Sequence, residues 1–340
     1  MKYLIGLSIL CSSFFVNGQF IKAGKWQGNI HYETQKVPFT FEVSYPNGEI
    51  PQVTFINGEE RRVAESVKQE GDTLIIDLAP FDVAIKTVYG AMTMEGFYEK
   101  YYRDSKYPFS ASFGMPRMMK KSIRPSPPVE ERWDMTFDPE SSSASKGVGV
   151  FKQVGEKITG TVLTMVSDYR YFEGIMDGDS IKLSSFDGAH AFMILGKKVG
   201  NEWSGEMIYD NSYSEPWVAS PNSEASIDDP FEIVELEAGV HKPYFDLLAA
   251  GNGKGTLDPS KYEDKVLIIQ LFGTWCPNSH DQTQYLVDWH SQNSEKDVAI
   301  LASSFEANYS QEYGLRRIEE YKEVNDIKYD VVLGGRLSKS

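Results

Sequence analysis

The chain has 340 residues, 34 basic and 49 acidic side chains, and a formal net charge of −15. That length suffices for two or three domains with cores of their own. The acidic balance lacks the basic footprint of a nucleic-acid binder, and two cysteines in the whole chain exclude a scaffold stapled by several disulfides.

Residues 1–18 read as an export signal. Lys2 supplies the positive start, and Tyr3 to Val16 is mostly apolar but too short to span a bilayer. Val16-Asn17-Gly18 offers small residues for cleavage before Gln19. Leu10 before Cys11 is too large for a lipoprotein site, so simple cleavage is expected. No later apolar run reaches roughly 18 residues, so no transmembrane segment is expected in the mature chain. The expected location is the periplasm or cell envelope of a bacterium.

Residues 19–219 read as β-structure. Alternating, aromatic-rich stretches recur between turn signals, as in Val37–Val43, Thr73–Leu78, Lys157–Val162 and Ser180–Leu183. An internal repeat runs through them. Lys25-Trp26 matches Arg132-Trp133, Phe81-Asp82 matches Phe186-Asp187, Gly96 matches Gly205, and Ala111 matches Ala219. Copy one is placed at 19–112 and copy two at 131–219, joined by a proline-rich connector at 113–130. Each copy forms a small barrel or sandwich, or the two form halves of one larger barrel. The larger barrel exposes fewer strand edges and is the preferred expectation. The paired Phe-Asp positions are expected to be turn carboxylates capping backbone N–H groups. Trp26, Trp133, Trp203 and Trp217 are expected in the core.

A polar, acidic stretch at 220–235 marks a boundary, and from 236 to 340 the pattern changes. Lys265–Phe272 reads as a buried strand and Pro277–Ser291 as a helix with Tyr285, Leu286 and Trp289 on one face. Val298–Ala302 reads as a strand, Tyr309–Val324 as a helix and Tyr329–Leu333 as a strand. Such alternation implies a parallel sheet covered by helices. The expected fold is therefore multidomain, β plus α/β.

The run Gly273-Thr-Trp-Cys-Pro-Asn-Ser279 is the candidate site. Cys276 is the only cysteine beyond the leader. Pro277 suits a first helical position, so the thiol stands at the positive end of a helix, where a thiolate nucleophile is stabilised. Trp275 is a flat apolar neighbour. His280 and His290 lie ten apart, the other histidines are scattered, and no spacing suggests a metal or other cofactor. His280 reads as a solvated first-turn residue.

With its upstream strand, this motif resembles the thioredoxin-like TlpA/ResA family of exported thiol-disulfide oxidoreductases, in forms with a β-rich region ahead of the redox domain. The resemblance covers about 236–340. It implies a redoxin-type α/β domain in which Cys276 attacks a disulfide and a second cysteine resolves the adduct. Ser279 stands at that second position, so exchange would be monothiol, with protein or small-molecule thiols and disulfides as partners. Gln270 and Gln282 stand where the family carries carboxyls. The family also implies a cis-proline strand beside the cysteine. No proline follows Pro277, so the domain is expected to be truncated and poorly stable alone. The alternative expectation is that the β region is the working part, as a binding or envelope-interaction module.

Overall fold

The computed structural model describes residues 21–48, 50–114, 127–209, 214–232, 248–249, 259–293, 296–308 and 310–336, together with Gly239. The leader, most of the proline-rich connector and residues 233–238 lie outside them.

The first unit is a nine-stranded antiparallel sheet. Its strands are β1 (Gly24–His31), β2 (Lys36–Ser44), β3 (Gln52–Asn57), β4 (Glu60–Val63), β5 (Ser66–Glu70), β6 (Thr73–Asp77), β7 (Val83–Tyr89), β8 (Thr93–Lys100) and β9 (Ser105–Phe113). The order β4-β3-β2-β1-β9-β8-β7-β6-β5 brings the two ends of the sheet together in sequence. Only Ala64 and Glu65 separate β4 from β5. The Ala64 N–H donates to Val53 and the Glu65 N–H to Asp77, so the sheet curls almost shut.

The second unit is a closed eight-stranded barrel. It comprises β10 (Arg132–Phe137), β11 (Ser145–Val154), β12 (Lys157–Thr164), β13 (Phe172–Asp177), β14 (Ser180–Phe186), β15 (Ala191–Val199), β16 (Glu202–Ile208) and β17 (Ser214–Pro221). Closure comes from β10 pairing with β17, where Met135 opposes Ala219 and Phe137 opposes Trp217. The preferred expectation of one larger barrel is therefore corrected. Each copy satisfies its own first strand with its own last strand, and in copy one the β3–β4 hairpin stands where the barrel pairs β12 directly with β13.

The repeat positions carry equivalent duties. Trp26 and Trp133 are fully buried on the opening strands. At Gly96 a β-carbon would lie 2.0 Å from the Lys86 carbonyl oxygen, and at Gly205 it would lie 1.9 Å from that of Leu195. Both glycines let the backbones of neighbouring strands approach where the sheet bends.

The core of the first unit extends onto the barrel through Phe186 and its neighbours, while the barrel interior packs a cluster of its own. Phe186 of β14 stacks on Phe39 of β2, with ring centroids 4.3 Å apart, and meets Phe55 edge-on at 4.9 Å. Buried Asn57 donates to the Phe186 carbonyl at 2.8 Å and accepts from the Phe186 N–H at 3.1 Å. Tyr98 donates to Ala189 and Ser184 to Pro38. These bonds satisfy polar groups that would otherwise cost about 1–3 kcal/mol each to leave buried and unpaired.

The third unit is a four-stranded sheet in the order β18-β21-β20-β19, with two α-helices. Its elements are β18 (Leu248–Ala249), β19 (Val266–Phe272), α1 (Pro277–Gln292), β20 (Val298–Glu306), α2 (Gln311–Val324) and β21 (Asp330–Arg336). Strands β19, β20 and β21 are parallel. On α1 the buried residues are Pro277, Thr283 and Leu286, and Tyr285 points to solvent, against expectation.

The expected thioredoxin-like domain of the TlpA/ResA kind is not what the chain builds. The described residues are predominantly β, with only two α-helices among them. The strand that carries the Trp-Cys-Pro turn, β19, is an edge strand. Val266 and Leu271 on it are 66% and 65% exposed, where a cis-proline hairpin would have covered it. Local periodicity specifies a strand or a helix but not which strand lies beside it, and the redoxin reading depended on that neighbour.

Gly96→Ala and Gly205→Ala should each destabilise their own unit by about 1–3 kcal/mol, as overpacking does. Urea unfolding followed by near-UV circular dichroism measures this. Wild-type midpoints for both variants would contradict it.

Candidate functional site

The Trp275–Asn278 turn faces the barrel, and several bonds lock it there. The loop before it is set by Glu306, a residue sequence reasoning missed because β20 runs four residues further than its apolar run suggests. Glu306 is 1% exposed and accepts from the Thr274 N–H at 3.2 Å, from the Thr274 hydroxyl at 2.9 Å and from Ser304. Trp275 donates its ring N–H to Phe305 O at 3.1 Å. Its ring lies edge-on to His190 of the barrel at 6.0 Å and tilted against Tyr102 of the first sheet at 6.3 Å.

Cys276 is the N-cap of α1 and Pro277 opens the helix, as the sequence suggests. The thiol is free and partly exposed. Ser279 offers its carbonyl to Thr283 Oγ1 at 2.9 Å. Buried Gln270 donates to Thr283 Oγ1 at 2.9 Å and lies 3.4 Å from Gln282, so these two amides do meet beneath the helix. Asn278 donates to the Asp168 carbonyl at 2.9 Å and accepts from Arg170 at 2.7 Å.

Arg170 gathers all three units. It sits in a left-handed conformation with φ 54°, supported by its N–H donating to Asp168 Oδ1 at 2.8 Å. Its guanidinium bonds Glu60 of the first sheet and pairs with Asp281 of α1 at 2.8 Å. Burial opposes its charge, but Glu60 and Asp281 outweigh that and hold it firmly protonated. Arg62 adds a second pair to Asp281 at 3.1 Å. On the far side, Asp82 accepts from Tyr313 and lies 3.9 Å from Arg317, both on α2. Asp82 is thus a docking group, whereas its repeat partner Asp187 is a turn carboxylate that accepts from the N–H groups of Ala189 and His190.

Between the units lies a cavity of about 540 Å³, within the usual range for small-molecule sites. The barrel contributes Tyr169, His190, Phe192 and Tyr209, the third unit contributes Trp275 and Cys276, and the first sheet contributes Lys100 and Arg103. Tyr169, Phe192 and Tyr209 meet edge-to-face or tilted, at 5.7–5.8 Å. His190 stacks on Phe192 at 5.2 Å and is oriented by Asp187 at 3.0 Å. Burial alone would raise the Asp187 carboxyl, but the attraction and hydrogen bonds of His190 hold it down at about 2. Burial pushes the Tyr209 phenol well above its ordinary value, reinforced by Tyr169 and Glu215, so it remains a neutral donor.

His280 is not a solvated residue. It lies edge-on to Phe81 at 5.6 Å and to Tyr321 at 6.1 Å. Burial, with Arg62 adding to it, lowers its pKa to about 4. No group of residues able to hold a metal ion occurs among the described residues. No helix among them is long and apolar enough to cross a membrane.

No family model matches the chain, and no curated protein matches it in sequence. Among solved structures, a candidate outer membrane protein of Bacteroides fragilis is 9% identical, with 59% of this chain and 97% of that one covered, at a TM-score of 0.20. A protein of unknown function from the DUF3598 family of Nostoc punctiforme is 8% identical, with 58% and 94% covered, also at 0.20. The agglutinin of Burkholderia oklahomensis is 11% identical, with 58% and 84% covered, at 0.15. Likeness at this level carries no inference about function.

His280 sets a pH dependence. Its folded pKa of about 4 lies below the ordinary 6.5, so the unfolded chain takes up the proton first. Stability is unaffected above 6.5 and falls as the pH drops from 6.5 through about 4. His280→Leu removes that part of the loss. The thermal midpoint of the wild type should fall relative to that of His280→Leu as the pH drops from 6.5 to about 4, and parallel curves would contradict this.

Proposed function

We propose that this chain is an exported, β-rich binding protein of the bacterial envelope whose ligand site is the cavity between its three units. The observation that carries this reading is the cavity itself, which two β units and the Trp275–Asn278 turn build together. In this reading Cys276, Trp275 and Pro277 are wall residues, and Ser279 on the following turn has no chemical duty. The partners are small ligands rather than thiols: a single free cysteine occurs among the described residues, and the turn around it is bonded to the barrel. Export rests on the leader at residues 1–18.

Site occupancy can be read with the fluorescent probe 8-anilinonaphthalene-1-sulfonate. The wild type should bind one probe per chain in competition with labelling of Cys276. A bulky maleimide on Cys276 should abolish binding, and Cys276→Ser should retain it. Unchanged probe binding after maleimide labelling, or its loss in the serine variant, would overturn the reading.

A further inference from the structure

The cavity is walled by rings whose polar tips are turned into the protein. Tyr169, Phe192, Tyr209, His190 and Trp275 line it, and ring faces and edges of this kind select flat ligands. The Trp275 ring N–H is used by Phe305 O at 3.1 Å. The hydroxyls of Tyr169 and Tyr209 bond one another at 2.8 Å, and Tyr209 also donates to Glu215. What these four rings offer a ligand is carbon surface.

The charged lining is committed in the same way. Asp168 accepts from Asn278 and from the Arg170 N–H, and Arg170 is held by Glu60 and Asp281. Lys100 and Arg103 have interactions of their own within the protein. The Cys276 thiol is free but is a weak hydrogen-bonding group. The His190 imidazole is the stronger open group. Its Nδ1 lies 3.0 Å from Asp187 Oδ2, while Oδ1 of that carboxylate accepts from the N–H groups of Ala189 and His190. Asp187, with a pKa of about 2, is an ionised acceptor. A neutral His190 therefore carries its proton on Nδ1 and keeps a lone pair on Nε2. That nitrogen has no hydrogen-bond partner among the described residues, on a side chain that lines the cavity.

We infer that the cavity takes a neutral, flat aromatic ligand with an O–H or N–H donor on its ring, of the phenol or indole kind, whose donor is accepted by His190 Nε2. This rests on the binding reading above and goes beyond it by naming the ligand class. A ligand of the same shape without the donor keeps the ring contacts but leaves the imidazole acceptor unpaired, and that difference is what discriminates. Asp187 is a positioning residue, because it sets the tautomer and thereby the acceptor. No charge on the ligand takes part, so affinity should hardly change with salt.

The matched probes are 2-naphthol and 2-methoxynaphthalene, neutral ring systems alike except for the donor. Dissociation constants from calorimetry on the full chain near neutral pH should favour the naphthol by roughly tenfold, at low and high salt alike. His190→Phe keeps a flat ring beside Phe192 and should bring the two probes level. In Asp187→Asn the side-chain amide donates to Nδ1 and moves the imidazole proton to Nε2. The naphthol should then lose its advantage, whereas a purely structural role for Asp187 would weaken both probes alike and preserve it. Equal binding of both probes to the wild type, or a naphthol preference that survives both variants, would overturn the donor assignment and leave the cavity reading standing. No binding of either probe, with Cys276 alkylation unaffected by both, would overturn the assignment and the cavity reading together.

Discussion

One guanidinium ties the molecule together. Arg170 belongs to the barrel, yet its bonds run to Glu60 on the first sheet and to Asn278 and Asp281 on the helix after the cysteine turn. Buried charges are costly unless paired, and removing one partner of such a group costs about 3–5 kcal/mol. The site solves this by surrounding the cation with carboxylates from two other units. Residues of all three units line the cavity, so it exists only where those units meet.

The two β units meet the same demand with neutral groups. Asn57 mimics a strand neighbour for Phe186, and Phe39 and Phe55 close over its ring. The loop after β14 then runs through Asp187 to His190, so the packing that fixes Phe186 also places the histidine on the cavity wall. Packing and site are consecutive on one strand end.

Much of the local structure was legible. The alternation at Val37–Val43 and the apolar run of β19 announced strands, and Pro277 announced a helix start. Matched positions such as Trp26 and Trp133, or Gly96 and Gly205, were visible because each pair answers the same steric demand. What could not be read was lateral. Nothing in the sequence of β19 says that it is an edge strand, so a motif typical of redoxins suggested a fold whose remaining strands do not flank it. The same limit hid the site. Tyr169, His190, Lys100 and Trp275 are far apart in sequence, and no spacing rule joins them. Glu306, Asp82 and Arg170 left only faint signals, as isolated charges whose partners lie on other units.

The central claim is that the cysteine turn is docked against the barrel and forms one wall of a shared cavity. A distance measured by pulsed electron paramagnetic resonance tests it most directly, using spin labels on the exposed positions Tyr285→Cys of α1 and Val199→Cys of the barrel in a Cys11→Ser, Cys276→Ser background. The docked arrangement predicts one narrow distance, since Asn278 of α1 is bonded to the barrel loop at Asp168. A broad distribution reaching long distances would mean that the third unit moves independently and that the cavity does not persist.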